Sequence, residues 1–364
     1  MSQTSALVEI RQLCQLGLDA ATIMPALLRA LRQLIPSDFA GFFWVDEAGD
    51  MTDLFAEKLL SLTLTRRYFE HYYDSPEHRF REKFVERAAR KDSVVSFTPD
   101  PPFEASMYYQ EILRPLNAHH VLYAIVRDST RAFGQLSLYR SKALRPFGDK
   151  ERTDLAGAVR YMAHALASPP AASGVDRNEF RNGGPEALVV CNARGTVLQA
   201  SALAFGLLAR STGQAINRQT IRDEVGRATA DLLSQMSTSV ASVNAISNRS
   251  DRFIDNRWGR FRLRALPLDD TAGGESNIGV VIEQQTHYLV RLTSAMGQFP
   301  LSAQQREVAL LLAQGLANAE VATRMGVSPN TANYHIKQLY QKLDANDRES
   351  ALARIEAAAS KLAG

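Results

Sequence analysis

Residues Leu301 to Ile355 read LSAQQREVALLLAQGLANAEVATRMGVSPNTANYHIKQLYQKLDANDRESALARI, and their punctuation decides the C-terminal fold. Val308, Leu311 and Leu312 form one apolar stripe of a first helix, which Gly315 ends. A short second helix is expected from Glu320 to Met325, stopped by Gly326. Ser328 then stands as an N-cap with Pro329 at the first helical position, where a backbone N–H is not required. The third helix buries Ala332, Ile336, Leu339 and Leu343, leaving Asn330, Asn333, Tyr334, Lys337, Gln341 and Lys342 on the other face. No acidic residue lies between Pro329 and Leu343. Amides and amines are the groups that pair with base edges and phosphates.

This block resembles the LuxR-type helix-turn-helix. Arg306-Glu307-Val308, Gln314-Gly315, Asn318, Glu320-Val321-Ala322, Gly326-Val327-Ser328 and Thr331 through Lys342-Leu343 fall in the family's register. The resemblance implies a recognition helix in the major groove and dimers on paired half-sites. It also implies that Asn333, Tyr334 and Lys337 face bases, whereas Ser328, Thr331, Asn318 and Lys342 touch phosphates. Gln305 stands where a glutamate is usual, Ala309 where a leucine is usual, and Asn333 where a lysine is common. Residues 298–364 hold seven Lys and Arg against six Asp and Glu, a net of +1. A single copy should therefore bind DNA weakly, and a dimer is expected.

Upstream, Ile23, Leu27, Leu31 and Leu34 have helical spacing, and DFAGFFWVDEAGDMTDLFAE reads as a hairpin about a Glu-Ala-Gly-Asp turn. Helical material follows, then HVLYAIVRDSTRAFGQLSLYR, two strands around a polar turn. Leu122, Ala124, Val126, Gly134, Leu136 and Leu138 share an apolar face of this pair. The opposite face is mixed: Val121, Tyr123, Ile125, Phe133, Gln135, Ser137 and Tyr139. RPFGDKERTDLAGAVRYMAHAL closes the segment as an amphipathic helix with Leu155, Val159, Met162 and Leu166 on one stripe, suited to pack within the chain or across a dimer. Gly148 is its N-cap, with Glu151 three residues on. The order of these elements over residues 20–167 resembles a GAF sensor domain.

EALVVCNARGTVLQASALAFGLLAR, from Glu186, gives strand, turn, strand and a Ser-capped apolar helix. WGRFRLRALPL and NIGVVIEQQT are later strands, joined by a turn-rich loop, DDTAGGESN. This pattern over residues 178–285 resembles a PAS domain. Two composition breaks separate the parts: SPPAASGVDRNEFRNGGPEA (Ser168 to Ala187) and GQFPLS around Pro300. The expected organisation is an α+β multidomain chain: a GAF-like α/β/α sensor (1–168), a linker (169–177), a PAS-like α+β domain (178–296) and an all-α tetrahelical helix-turn-helix domain (297–364).

Composition narrows the function. The chain has 364 residues, 45% hydrophobic and 22% charged, with a net charge of +3, close to globular averages. Cys14 and Cys191 are single and distant, giving no disulfide framework, redox pair or zinc cluster. No basic region precedes an apolar core at the N-terminus, and no run reaches the ~18 apolar residues that span a bilayer, so a cytoplasmic protein with no membrane partner is expected. No nucleophile triad, phosphate-cradling glycine loop or paired-carboxylate site is legible. The reading thus predicts no catalytic residue, no metal and no cofactor. His71, Asp74 and His78 have ligand spacing, but Pro76 interrupts their helix. His119 and His120 point to opposite faces of a strand, so at most one of them is placed to ligate a haem.

Tyr68, Phe69, Tyr72, Tyr73, Phe80, Phe84, Tyr108 and Tyr109 concentrate in the first domain's helical insertion. They suit either a lid over a small aromatic or apolar ligand or an ordinary core with a wet tyrosine rim. The candidate ligand set is Tyr72, Tyr73, Phe84, Tyr109, Tyr123, Gln135 and Tyr139. Arg260, Arg262 and Arg264 alternate with Phe261, Leu263 and Ala265 along one strand, a pattern explained by a solvated face or by a contact with DNA or another domain. The function expected is a ligand-responsive regulator of transcription, binding operator DNA as a homodimer through the helices bounding the GAF-like domain and the C-terminal helix. The alternative is a dimeric sensor that acts through protein contacts and has no DNA affinity.

Overall fold

The computed structural model describes residues 3–76, 78–90, 94–167, 180–242, 250–268 and 277–362. The expected linker 169–177 and most of the loop DDTAGGESN lie outside the described residues. The first region runs α1 (Gln3–Cys14), α2 (Ala20–Leu34), β1 (Phe39–Val45), β2 (Met51–Ala56), α3 (Leu62–Arg67), α4 (Phe80–Ala88), β3 (Val94–Phe97), α5 (Pro101–Glu104), β4 (His120–Arg127), β5 (Ala132–Arg140) and α6 (Asp149–Ala167). Its antiparallel sheet is ordered β2-β1-β5-β4-β3. Leu122 opposes Leu138 and Ala124 opposes Leu136, so the expected apolar face forms, and α2 and α6 cover it with α1 packed on both. Gly134 allows the close approach of β1, because a Cβ there would lie 2.4 Å from the Phe43 carbonyl oxygen. Phe133 departs from the mixed face and joins this main core, beside the bulge between Val126 and Arg127.

Arg140 and Glu151 fasten the end of β5 to the start of α6. Their buried side chains pair at 2.9 Å, Arg140 Nε donates to the Pro36 carbonyl at 2.8 Å, and the guanidinium lies 4.0 Å from the centre of the Phe147 ring. Glu151 also accepts from the Gly148 N–H at 2.7 Å, as its position three residues after the cap predicts.

The second region comprises β6 (Phe180–Arg181), β7 (Glu186–Cys191), β8 (Val197–Ala200), α7 (Ala204–Ser211), α8 (Glu224–Ser242), β9 (Ser250–Asn256), β10 (Gly259–Leu268) and β11 (Asn277–His287). Its sheet is ordered β8-β7-β11-β10-β9, with β6 paired to β11. Phe261, Leu263 and Ala265 are buried, whereas Arg262 pairs with Asp251 at 2.5 Å and Arg264 with Glu186 at 2.7 Å, so the arginines form a cross-strand charged face. Cys191 is buried, with its sulfur 3.5 Å from Ser237 Oγ, as a small core residue. The Ser-capped helix is corrected: Leu203 precedes α7 without a side-chain cap, and the Ser201 hydroxyl accepts from the Leu188 N–H in β7.

The two regions share a buried seam. Trp258 packs edge-on against Trp44, with ring centres 5.6 Å apart, and lies 5.7 Å from Phe55. Asp53, only 3% exposed, accepts from the Ile216 N–H at 2.8 Å and is paired with Arg257. β11 leads into α9 (Tyr288–Ala295), then α10 (Ala303–Ala313), α11 (Asn318–Met325), α12 (Pro329–Lys342) and α13 (Arg348–Leu362). Arg306 of α10 donates to Ser5 Oγ of α1 at 2.9 Å, and Arg29 of α2 donates to Ser294 Oγ of α9 at 2.9 Å. α13 packs on α9 through Ala351, Ile355 and Ala359, while α6 spends Leu155, Val159 and Met162 on the main core. The apolar stripes expected to pair across a homodimer are thus occupied within the chain.

Candidate nucleic-acid interface and ligand cavity

α10 begins with a reciprocal cap: Ser302 Oγ accepts from the Gln305 N–H at 3.3 Å and Gln305 Oε1 accepts from the Ser302 N–H at 2.8 Å. Lys342, at the far end of α12, donates to the same Gln305 oxygen at 3.0 Å and to the Pro300 carbonyl at 2.7 Å. Gln305 therefore retains as a neutral acceptor the position where a glutamate is usual. Its partner Lys342 is engaged within the domain rather than free. Gly326 takes φ +65°, the left-handed conformation that ends α11, and α12 starts on Ser328, whose Oγ accepts from the Thr331 N–H at 3.2 Å. α11 begins two residues before the expected start, at Asn318.

Ala332, Ile336, Leu339 and Leu343 are buried, as their spacing predicts, and the last three share a core with residues of α10 and α13. Asn330, Thr331, Asn333, Lys337 and Gln341 are exposed, and Tyr334 is 60% exposed. The Asn318 amide donates to Asn333 Oδ1 at 3.2 Å, tying α11 to the face of α12. Ser328 Oγ and Thr331 Oγ1 are 2.8 Å apart at the N-terminus of α12. All seven candidate DNA-contacting residues lie on α11, α12 or the turn between them, and the outward side of α12 presents amide, phenol and ammonium groups.

The mixed face of the first sheet borders a second candidate site. A cavity of about 100 Å³ is lined by Phe39, Tyr68, His78, Tyr108, Tyr123, Gln135 and Tyr139, among others. The Tyr68 hydroxyl and His78 Nε2 are 2.8 Å apart, and the His78 ring stacks on Tyr108 with centres 4.6 Å apart. Arg87 donates to Gln135 Oε1 at 3.2 Å and lies 4.7 Å from the centre of the Tyr123 ring. Burial pushes the His78 pKa down to about 3 and the Tyr123 and Tyr139 hydroxyls upward, so these groups are neutral near pH 7. The chemistry available is hydrogen bonding and ring stacking for a small uncharged molecule.

Only part of the expected ligand set lines this cavity. Tyr123, Gln135 and Tyr139 do, whereas Tyr72, Tyr73, Phe84 and Tyr109 do not. Tyr72 donates to Glu111 at 2.5 Å, the Tyr73 hydroxyl accepts from the Met51 N–H at 2.8 Å, and Tyr109 bonds His119 Nδ1 at 2.9 Å. Phe84 packs with Phe69, Phe80 and Ile125 in the core beside the cavity. Tyr68–Tyr72 and Tyr109–Leu113 are π-helical turns, wider than the 3.6-residue turn of an α-helix. Tyr68 and Tyr108, named in the aromatic cluster but not in the ligand set, line the cavity together with His78. His78 bonds Tyr68 while Asp74 pairs with Arg218 at 2.5 Å, so the spaced His71-Asp74-His78 set does not converge. Among the described residues no group of three or more His, Cys, Asp or Glu is placed to hold a metal ion. No helix among them is long and apolar enough to cross a membrane.

Comparison with known proteins assigns the C-terminal segment. The family of bacterial regulatory proteins, luxR family, matches residues 299–354. The probable transcriptional regulatory protein SgaR of Hyphomicrobium methylovorum is 45% identical over 53 residues, 15% of this chain and 25% of that protein. The transcriptional regulatory protein UhpA of Escherichia coli is 46% identical over 55 residues, 15% of this chain and 28% of that protein. The chain thus spans about a quarter of the length of the curated relatives it matches. Among solved structures, the GAF domain of the cyanobacteriochrome TePixJ aligns with 42% of this chain and 92% of its own, at 18% identity and a TM-score of 0.31. A ligand–DNA complex of VqmA from Vibrio cholerae aligns with 48% of this chain and 84% of its own, at 14% identity and a TM-score of 0.25. The matched segment covers α10, α11 and α12 and reaches into α13, which makes residues 299–354 a helix-turn-helix domain of the luxR family of bacterial regulatory proteins.

Proposed function

We propose that the chain is a one-component regulator of transcription that binds operator DNA as a homodimer and responds to a small molecule held in its first domain. The observation that carries this reading is the exposed, acid-free polar face of α12 in a luxR-family domain. Asn333, Tyr334 and Lys337 read base edges from the major groove, and Asn318, Ser328 and Thr331 hold flanking phosphates. Lys342 adds to the phosphate set only by exchanging its bonds to Gln305 and Pro300. The domains are assigned as 1–168, 178–296 and 297–364, with 169–177 as the linker. The effector is a small, uncharged aromatic or apolar molecule in the cavity bordered by Tyr123, Gln135 and Tyr139. It shifts DNA affinity by its differential affinity for two arrangements of the dimer.

Selection of random duplexes by the full-length protein at near-physiological salt tests the reading, with the Asn333→Ala/Lys337→Ala double variant in parallel. Enrichment of a two-fold symmetric site by the unaltered protein, lost in the variant, is expected. Equal enrichment by both proteins would remove α12 from the reading. Absence of any enriched site across effector screens would favour a sensor that acts through protein contacts.

A further inference from the structure

Arg210, near the end of α7, is a buried cation without an anion. It is 9% exposed, its guanidinium carbon stacks 4.9 Å from the centre of the Phe55 ring across the domain seam, and its Nε is buried without an acceptor. Among the described residues no carboxylate pairs with it. Taking such a charge out of water is costly unless a counter-charge completes the site. Burial accordingly holds its pKa down, at about 10. Nearby, Gln284 of β11 donates to the Trp258 carbonyl at 2.7 Å, but its own Oε1 is buried without a donor.

Both side chains line a cavity of about 470 Å³ where the three parts of the chain meet. Pro25 and Phe55 come from the first region, Gly206 and Arg210 from α7, and Val290 and Arg291 from the helix leading to the helix-turn-helix. The volume lies in the range of small-molecule sites, about 300–1,000 Å³. Arg29, Arg210 and Arg291 line it against Glu9 and Glu57, and Glu57 is already paired with Arg32 at 3.2 Å. The lining charge is therefore positive over an apolar floor.

We infer that this junction cavity is a second ligand site, distinct from the aromatic cavity of the first domain, and that it takes a small monocarboxylic acid bearing a hydroxyl or amino donor. The carboxylate meets the Arg210 guanidinium, the donor satisfies Gln284 Oε1, and the apolar body lies against Pro25, Phe55 and Val290. A single buried guanidinium suits one carboxylate better than a polyphosphate. The occupant bridges α2, α7 and α9 and so stabilises the arrangement in which the helix-turn-helix is docked.

Calorimetric titration and thermal melting of the full-length protein test this, with 4-hydroxyphenylacetate, 3-hydroxybenzoate and 3-hydroxyhexanoate as probes and their neutral primary amides as controls. At least one acid should bind and raise Tm while its amide does not. Arg210→Met should weaken that acid about 10- to 100-fold, the loss of one charge-assisted pair. The same variant should melt no lower than the unaltered protein without ligand, since it removes an unpaired charge. Gln135→Leu, in the first domain's cavity, should leave acid binding unchanged. No acid binding, equal binding of acid and amide, or loss of binding in Gln135→Leu but not in Arg210→Met would each overturn the proposal. None of these readouts uses DNA, so they stand or fall separately from the proposed regulatory role.

Discussion

His78 sits among Tyr68, Phe80 and Tyr108, and desolvation, with Lys83 and Arg87 adding to it, lowers its pKa to about 3. An unfolded histidine titrates near ~6.5, so between that pH and 3 the unfolded chain binds a proton that the folded chain does not. Stability should therefore fall as the medium is acidified through that window. His78→Gln, which does not titrate, should lose less urea resistance between pH 7 and pH 5; an equal loss in both proteins would mean that His78 titrates as if exposed. The sequence pattern placed the exposed face of α12 residue by residue, because polar and apolar positions alternate there with an undisturbed helical period. It named His78 only within a set of metal-ligand spacing, and it did not single out Arg210. Their surroundings come from π turns and from strands and helices far apart in the chain, which spacing does not encode.

The link between β5 and α6 belongs to the scale of elements. Glu151 is buried, which raises its pKa, but the Gly148 N–H, Arg140 and Arg145 outweigh burial and leave it lowered overall. A lowered carboxylate contributes stability above its unfolded pKa and loses it as the pH falls through the folded value. Glu151→Gln should cost on the order of 3 kcal/mol at pH 7, since it strands the buried Arg140, and the deficit should shrink below about pH 4. Denaturant titrations at pH 7 and pH 3.5 read both effects. In α12, Ser328→Ala should remove about 1 kcal/mol through the lost cap. Lys337→Ala should cost about 1–3 kcal/mol on the selected operator if it reads a base. An equal loss on all sequences with a flatter salt dependence would make Lys337 a phosphate contact. The caps were legible because Ser, Pro and Gly act through their immediate neighbours. The Arg140–Glu151 pair was legible only in its Gly148–Glu151 half, since Arg140 reaches it from the preceding strand.

Across the whole molecule, the seam of Trp258, Trp44, Phe55 and Asp53 joins the two sheet regions through buried ring contacts and a hydrogen bond, from which coupled unfolding is expected. Trp258→Ala should cost about 3–5 kcal/mol and split one calorimetric transition into two; a single transition at lower temperature would show that the seam is not what couples them. The α+β class and the order of elements could be read from periodicity and turn residues. The seam could not, because Asp53 and Ile216 are 163 positions apart and each looks like an ordinary core or loop residue in its own neighbourhood. The bond from Arg306 to Ser5 spans 301 positions, so α1, already packed on α2 and α6, gains one contact only when α10 is made. On a ribosome adding about 5–20 residues per second, α1 waits roughly 15–60 s for that partner. For most of that interval Glu9, buried in the finished protein, lacks two of its polar neighbours, Ser294 and Arg306, and has only Arg29 made beside it.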